Sequence, residues 1–160
     1  MTTATTPTQL EASIEIAAPP AQVWALVTDL ARMPEWSPMT ARSIVRGGTV
    51  RQGTSFVNIN RKGLLRVWPT TAKVVRFSPH SDFAFRINEN WTIWSYALEA
   101  VTVDGAPGTR VTSRRETPKG IAPISNRLVG AVMGGIPAFD AELRAGMQTT
   151  LKRIKAAAEA

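Results

Sequence analysis

Near the end of the chain, Ile136, Phe139, Leu143, Met147, Leu151 and Ile154 fall three or four residues apart. That spacing sets them on one stripe of an α-helix running from about residue 136 to residue 158. Asp140, Glu142, Arg144, Gln148, Lys152, Arg153 and Lys155 mostly fill the other side, acids early and bases late as the helix dipole favours. Pro137 suits a first-turn position. A helix of this length spans roughly 33 Å and is too one-sided to stand alone, so a broad surface must cover its apolar stripe.

The earlier chain supplies that surface. Leu10, Ala12, Ile14 and Ile16 alternate with Glu11, Ser13 and Glu15, the mark of a half-buried strand. Pro19-Pro20 breaks it and opens a short helix carrying Val23, Trp24, Leu26, Val27 and Leu30. Met33 to Pro38 is a connector that its two prolines keep short. Strands follow at 41–45, 54–60, 65–77, 82–87, 91–101 and 109–117. Their turns fall at Gly47-Gly48, Arg61-Lys62-Gly63, Ser78 to Ser81, Asn88 to Asn90 and Asp104 to Gly108. Pro69 points to a bulge or an edge position in its strand. In 118–135, Ile124, Leu128, Val129 and Val132 suit a short helix, ended by Gly134-Gly135. A strand, short helices, a block of strands and a long helix predict an α+β fold with an antiparallel sheet. The sheet should curve around the last helix and enclose a cavity. The first strand must join it away from its sequence neighbours.

Composition narrows the picture. The 160 residues suit one domain with a real core, read as residues 10–160 behind a short disordered tail at 1–9. No apolar run reaches membrane-spanning length, and the N-terminus has no signal-peptide pattern. There is no cysteine, so neither disulfides nor thiolate chemistry enter; cytoplasmic residence is the expectation. The net charge of +7 is uneven. No acid lies between Glu35 and Asp82, a span holding Arg42, Arg46, Arg51, Arg61, Lys62, Arg66, Lys73 and Arg76. That half is either a solvated basic face or a surface that steers an anionic partner. No nucleic-acid-binding pattern accompanies the charges, and nucleic acid is not an expected partner.

Several segments carry a family resemblance. Ile14-x-Ile16-x-Ala18-Pro19-Pro20-x-x-Val23-Trp24-x-Leu26-Val27-x-Asp29, then Met33-Pro34-Glu35-Trp36-Ser37-Pro38, resembles the SRPBCC (START-like, birch-pollen-allergen-like) superfamily. Trp94-x-Tyr96-x-Leu98 with Gly108-Thr109-Arg110-Val111-Thr112 resembles its paired late strands, and Gly146-Met147-x-x-Thr150-Leu151-x-x-Ile154-Lys155 its closing helix. The likeness covers about residues 10–158 and is nearest the polyketide cyclase/dehydrase branch, in particular its actinobacterial members. It implies a helix-grip fold: a seven-stranded antiparallel sheet around the last helix, two short helices after the first strand, and an apolar tunnel. Such proteins bind lipids, sterols or polyketides, and only some catalyse. Ser113 stands where many relatives carry an acid.

Candidate chemistry is sparse. One histidine, no cysteine and scattered acids make no metal site, and no Gly-rich loop has nucleotide-binding spacing; no cofactor is expected. His80 reads as a surface turn residue. Trp36, Trp94, Tyr96 and Arg115 are expected to border one cavity, with Phe139, Leu143 and Met147 on its helical wall and Phe56, Trp68 and Phe85 along its sheet wall. Large inward aromatics either fill a core or hold a flat apolar guest. A buried Arg115 must be neutralised by the neighbourhood of Glu116, by a helix acid or by an anionic ligand; a slip of one residue at a bulge would instead leave Arg115 in water and Arg114 inside. The expected function is binding of a hydrophobic small molecule, such as a fatty acid, lipid or polyketide with an anionic end, by a monomer or homodimer. Two alternatives stand beside it: a cyclase- or dehydratase-like enzyme using Tyr96 and Arg115 as its weak catalytic candidates, and a toxin-like or regulatory partner protein using the basic surface.

Overall fold

The structure is a computed structural model that describes residues 9–118 and 136–160. The expected N-terminal tail and the short helix expected within 118–135 lie outside the described residues. Seven antiparallel strands form one sheet: β1 (Leu10–Ile16), β2 (Thr40–Val45), β3 (Ser55–Lys62), β4 (Arg66–Ser78), β5 (Asp82–Ile87), β6 (Ile93–Val103) and β7 (Ala106–Glu116). The order across the sheet is β1-β7-β6-β5-β4-β3-β2, so β1 crosses over to pair with β7. Two short helices, α1 (Pro20–Val27) and α2 (Met33–Trp36), flank a 3-10 turn at Leu30–Arg32. The long helix α3 (Ile136–Glu159) closes the chain. This is the helix-grip architecture.

Local chemistry explains the elements. Pro20 opens α1, and the Thr28 hydroxyl donates to the Trp24 carbonyl at 2.7 Å where it ends. Ser37 after α2 is extended, as the following proline demands. Pro69 pairs with Ile59 in a part of β4 beyond the last β5 partner, so no neighbour on that side needs its N–H. The irregularity in β4 falls instead between Val74 and Arg76.

Two turns depart from expectation. Asp104 and Gly105 alone turn β6 into β7, with φ of 50° and 78°. Two positive φ angles match the strand twist, so Ala106 to Gly108 already belong to the ladder. The β3–β4 turn is Gly63-Leu64-Leu65, with Lys62 opposite Arg66, rather than Arg61-Lys62-Gly63. Gly63 takes φ of 65°, and Leu65, expected to open the strand, sits with Leu64 in the turn.

The Gly108-Thr109 pair binds the sheet to the first crossover. A Cβ on Gly108 would lie 2.8 Å from the Ile16 carbonyl oxygen and 2.5 Å from Val103. Thr109, fully buried, donates its hydroxyl to the Ala18 carbonyl at 2.7 Å. The core beneath is continuous from Leu10, Ile16, Val23 and Trp24 through Phe56, Val74 and Phe83 to Leu151 and Ile154. Helix α3 packs along β1 and between α1 and α2, reaching β7; Gly146 faces Pro38. Leu143, Met147, Leu151, Ile154 and Ala158 make its buried stripe.

Candidate functional site

In an antiparallel pair, directly opposed residues share a face. The register therefore lays Phe85, Trp94, Arg115 and Leu10 in one row across β5, β6, β7 and β1. The next row is Phe83, Tyr96, Ser113 and Ala12. Arg115, Ser113, Val111 and Thr109 are all buried, whereas Arg114, Thr112 and Arg110 keep more surface. The concave face thus carries Trp94, Tyr96 and Arg115 together, as alternation requires. Phe56 and Phe85 meet on it edge to face at 5.2 Å.

Arg115 is 5% exposed. Its Nη2 donates to Asp140 Oδ1 on the second turn of α3 at 3.2 Å. Of the neutralising groups expected for it, the helix acid is the one present. Glu116 turns to the opposite face, where Arg76 bridges it and Asp82, each at 2.7 Å. Burial, the largest single influence, pushes the Glu116 carboxyl up, but the Arg76 hydrogen bond together with the charges of Arg76 and Arg114 holds the group below the ordinary value. Arg76 is correspondingly raised, chiefly by that same hydrogen bond. Arg115 is less completely satisfied: its Nε is buried and, among the described residues, has no hydrogen-bond partner.

The rings beside Arg115 are not sealed. Trp94 and Tyr96 both keep accessible surface, unlike Phe83, Phe85 and Phe56 in the neighbouring strands. Yet burial alone pushes the Tyr96 phenol up to about 12.

The other expected residues are more scattered. Leu143 and Met147 are buried in the α3 stripe; Phe139 lies outside the residues whose side chains are described. Trp36 is 3% exposed at the end of α2, beneath the Arg32 guanidinium at 5.2 Å, itself paired with Glu35. Trp68 stands opposite Asn60, six residues up β4 from the partner of Phe85 and so about 20 Å away along the strand. It belongs to a polar part of the concave face that sequence reading overlooked. There Ser43 donates to Asn58 Oδ1 at 2.7 Å, and Asn60 donates to Thr70 Oγ1 at 2.9 Å and to the Trp68 carbonyl at 3.3 Å. The signal was available, since Asn58 and Asn60 share phase with Phe56. His80 is exposed in the β4–β5 turn with φ of 66°, its ring 6.2 Å from Trp24. A separate recess of about 330 Å³ lies at the seam between β1 and α3, lined by Ser13, Ile14, Gln148, Leu151 and Lys152; it contains none of the expected site residues.

Comparison with known proteins follows this geometry. DR_A0006 from Deinococcus radiodurans superposes with a TM-score of 0.63 at 16% identity, covering 95% of this chain and 98% of that one. The di-domain ARO/CYC StfQ from the steffimycin biosynthetic pathway gives 0.66 at 15% identity, covering 94% of this chain and 50% of StfQ. Ara h 8.0201 gives 0.62 at 15%, covering 94% and 97%. At these identities the likeness is one of fold. No curated protein sequence matches the chain. A family model described as polyketide cyclase / dehydrase and lipid transport matches residues 7–159. That span takes in every strand and helix placed above, and the chain belongs to this polyketide cyclase / dehydrase and lipid transport family.

Proposed function

We propose that the protein binds a hydrophobic small molecule against the concave face, with the guest's oxygenated end at Arg115 and its apolar body over Trp94 and Tyr96. The observation that carries this reading is the buried Arg115 Nε, which has no partner among the described residues, beside two rings that keep accessible surface. An unsatisfied buried donor is costly, and a guest oxygen would recover that cost. Asp140 already balances the guanidinium charge. A ketone, enol or ester oxygen can accept from Nε without disturbing that pair, whereas a carboxylate must compete with Asp140. Fatty acids and polyketides both fall within reach, and the family's description names both lipid and polyketide chemistry.

Binding is favoured over catalysis. With its phenol pushed up to about 12, Tyr96 holds its proton at neutral pH, so it can donate a hydrogen bond but not serve as a general base. Exposed His80 lies in a turn at the other end of β5 from Phe85 and Trp94.

The test is a panel of fatty acids, their methyl esters, aromatic polyketides and matched hydrocarbons, read by tryptophan fluorescence and melting temperature. Arg115→Met should weaken oxygenated guests about tenfold, the loss of one hydrogen bond to a charged donor, and leave hydrocarbons nearly unchanged. No response to any member, or equal losses for both classes, would remove the assignment.

A further inference from the structure

We propose that the β3–β4 hairpin tip docks on anionic lipid membranes, Leu64 and Leu65 entering the interface while the flanking basic residues meet the headgroups. Leu64 and Leu65 are 95% and 96% exposed, and Val67 behind them 59%. Singly exposed apolar residues are ordinary; two adjacent leucines almost wholly in solvent at the end of a projecting arm are not. The arm extends past the rest of the sheet, and Lys62 near its outer end meets Glu142 of α3. The last β5 partner of β4 is Ile87, opposite Ala72, and Asn88 and Glu89 still bond Thr71, so the hairpin runs on for five residues from Arg66 to Thr70, about 17 Å, with no β5 beside it.

The flanks are basic. Arg61 and Lys62 precede the turn and Arg66 follows it. Glu142 offsets Lys62 at 2.7 Å, but the whole span from residue 36 to residue 81 holds no acid of its own, so the arm keeps a positive field. Each basic side chain near an anionic bilayer strengthens binding about fivefold, and leucines beside them add the apolar component that charge alone lacks. A second copy fits poorly, since two such tips would bring like charges together. A folded protein partner fits poorly too: a three-residue turn offers far less than the roughly 800 Å² per side of a stable interface. Among the described residues no helix is long and apolar enough to cross a membrane, so the contact would be peripheral.

The inference does not depend on the ligand reading, and its test separates the two. Full-length protein is floated with vesicles of phosphatidylcholine, with and without phosphatidylglycerol. Wild type should float only with the anionic vesicles and detach as salt rises. Leu64→Ser/Leu65→Ser should lose at least tenfold in partitioning while keeping its melting temperature, because neither leucine packs on the core. Arg61→Gln/Arg66→Gln should lose about tenfold or more. The chain has no cysteine, so Leu65→Cys carrying an environment-sensitive dye should shift to the blue on anionic vesicles. Absence of wild-type flotation at low salt, equal flotation of the serine variant or an unshifted dye overturns the proposal. So does a wild-type dimer that the serine variant splits, which would assign the leucines to a second copy. Flotation that behaves as expected while no small molecule alters tryptophan fluorescence upholds the membrane contact and removes only the ligand reading.

Discussion

Removing Asp140 should expose what Arg115 costs the fold. The Arg115 side chain is 6% exposed and Asp140 20%, joined by one bond of 3.2 Å. Breaking a fully buried ion pair from one side costs about 3–5 kcal/mol, because a charge is stranded. Asp140 is only partly buried and its bond is single, so about 2 kcal/mol is the expected cost of Asp140→Asn. Arg115→Met replaces the guanidinium by an apolar chain of similar length and removes the unpartnered Nε with it. Because that Nε has no partner among the described residues, the variant should fall within about 1 kcal/mol of wild type, on either side. With Arg115→Met already in place, Asp140→Asn should cost little, giving a coupling of about 1–2 kcal/mol. Urea unfolding followed by tryptophan fluorescence measures all four proteins, with a constant m-value as the check on a common unfolded state. The coupling should persist in high salt, since a buried pair is weakly screened. Additive effects, with coupling below about 0.5 kcal/mol, would refute the claim that these two groups satisfy one another.

Three further outcomes follow from particular residues. Tyr96 is the sole tyrosine, so tyrosinate absorbance reports it alone in the native protein; its midpoint should lie near pH 12, and a midpoint near 10 would mean bulk water at the ring. Because the native pKa is raised, this stability is complete below pH 10 and is lost between pH 10 and 12, by at most about 1.4 kcal/mol per pH unit, as the unfolded chain releases its proton first. Trp91, 44% exposed at φ of 64°, should give about 0.5–1 kcal/mol of added stability as Trp91→Gly, whereas His80→Ala should change stability by less than about 0.5 kcal/mol; urea midpoints decide both. Gly108→Ala should cost about 2 kcal/mol, because the new Cβ meets the Ile16 carbonyl at 2.8 Å, and an unchanged midpoint would show that β1 and β7 can separate locally.

The inward phases of β5, β6 and β7 were legible because one face of the sheet is buried, and a period of two then leaves no freedom. Which strand positions stand opposite was harder. Reading Asp104-Gly105 as a two-residue turn counts Trp94 back to Arg115 directly, but Pro107 made the loop look longer. Asp140 was placed on the polar side of the helix, yet it lies three residues before Leu143 and seven before Met147, on the stripe itself. A charged residue on an apolar stripe is easily read as noise when its partner on another element is unknown. Leu65 misled in the opposite sense: an apolar residue leading a β-branched run looks like the start of a strand, and only the Lys62–Arg66 pairing moves it into the turn.

The two proposed contacts converge on one end of the molecule. Arg115 holds Asp140 and Lys62 holds Glu142, so a single turn of α3 is tied to the inside of the sheet by one ion pair and to the outer end of the hairpin by the other. Leu64 lies two residues beyond Lys62, about 7 Å at strand rise. A bilayer met by the hairpin therefore stands close to the helix turn that neutralises Arg115. The Lys62–Glu142 bond is half-exposed, and an anionic headgroup competing for Lys62 would weaken it. The Arg115–Asp140 bond is more deeply buried and would be slower to yield.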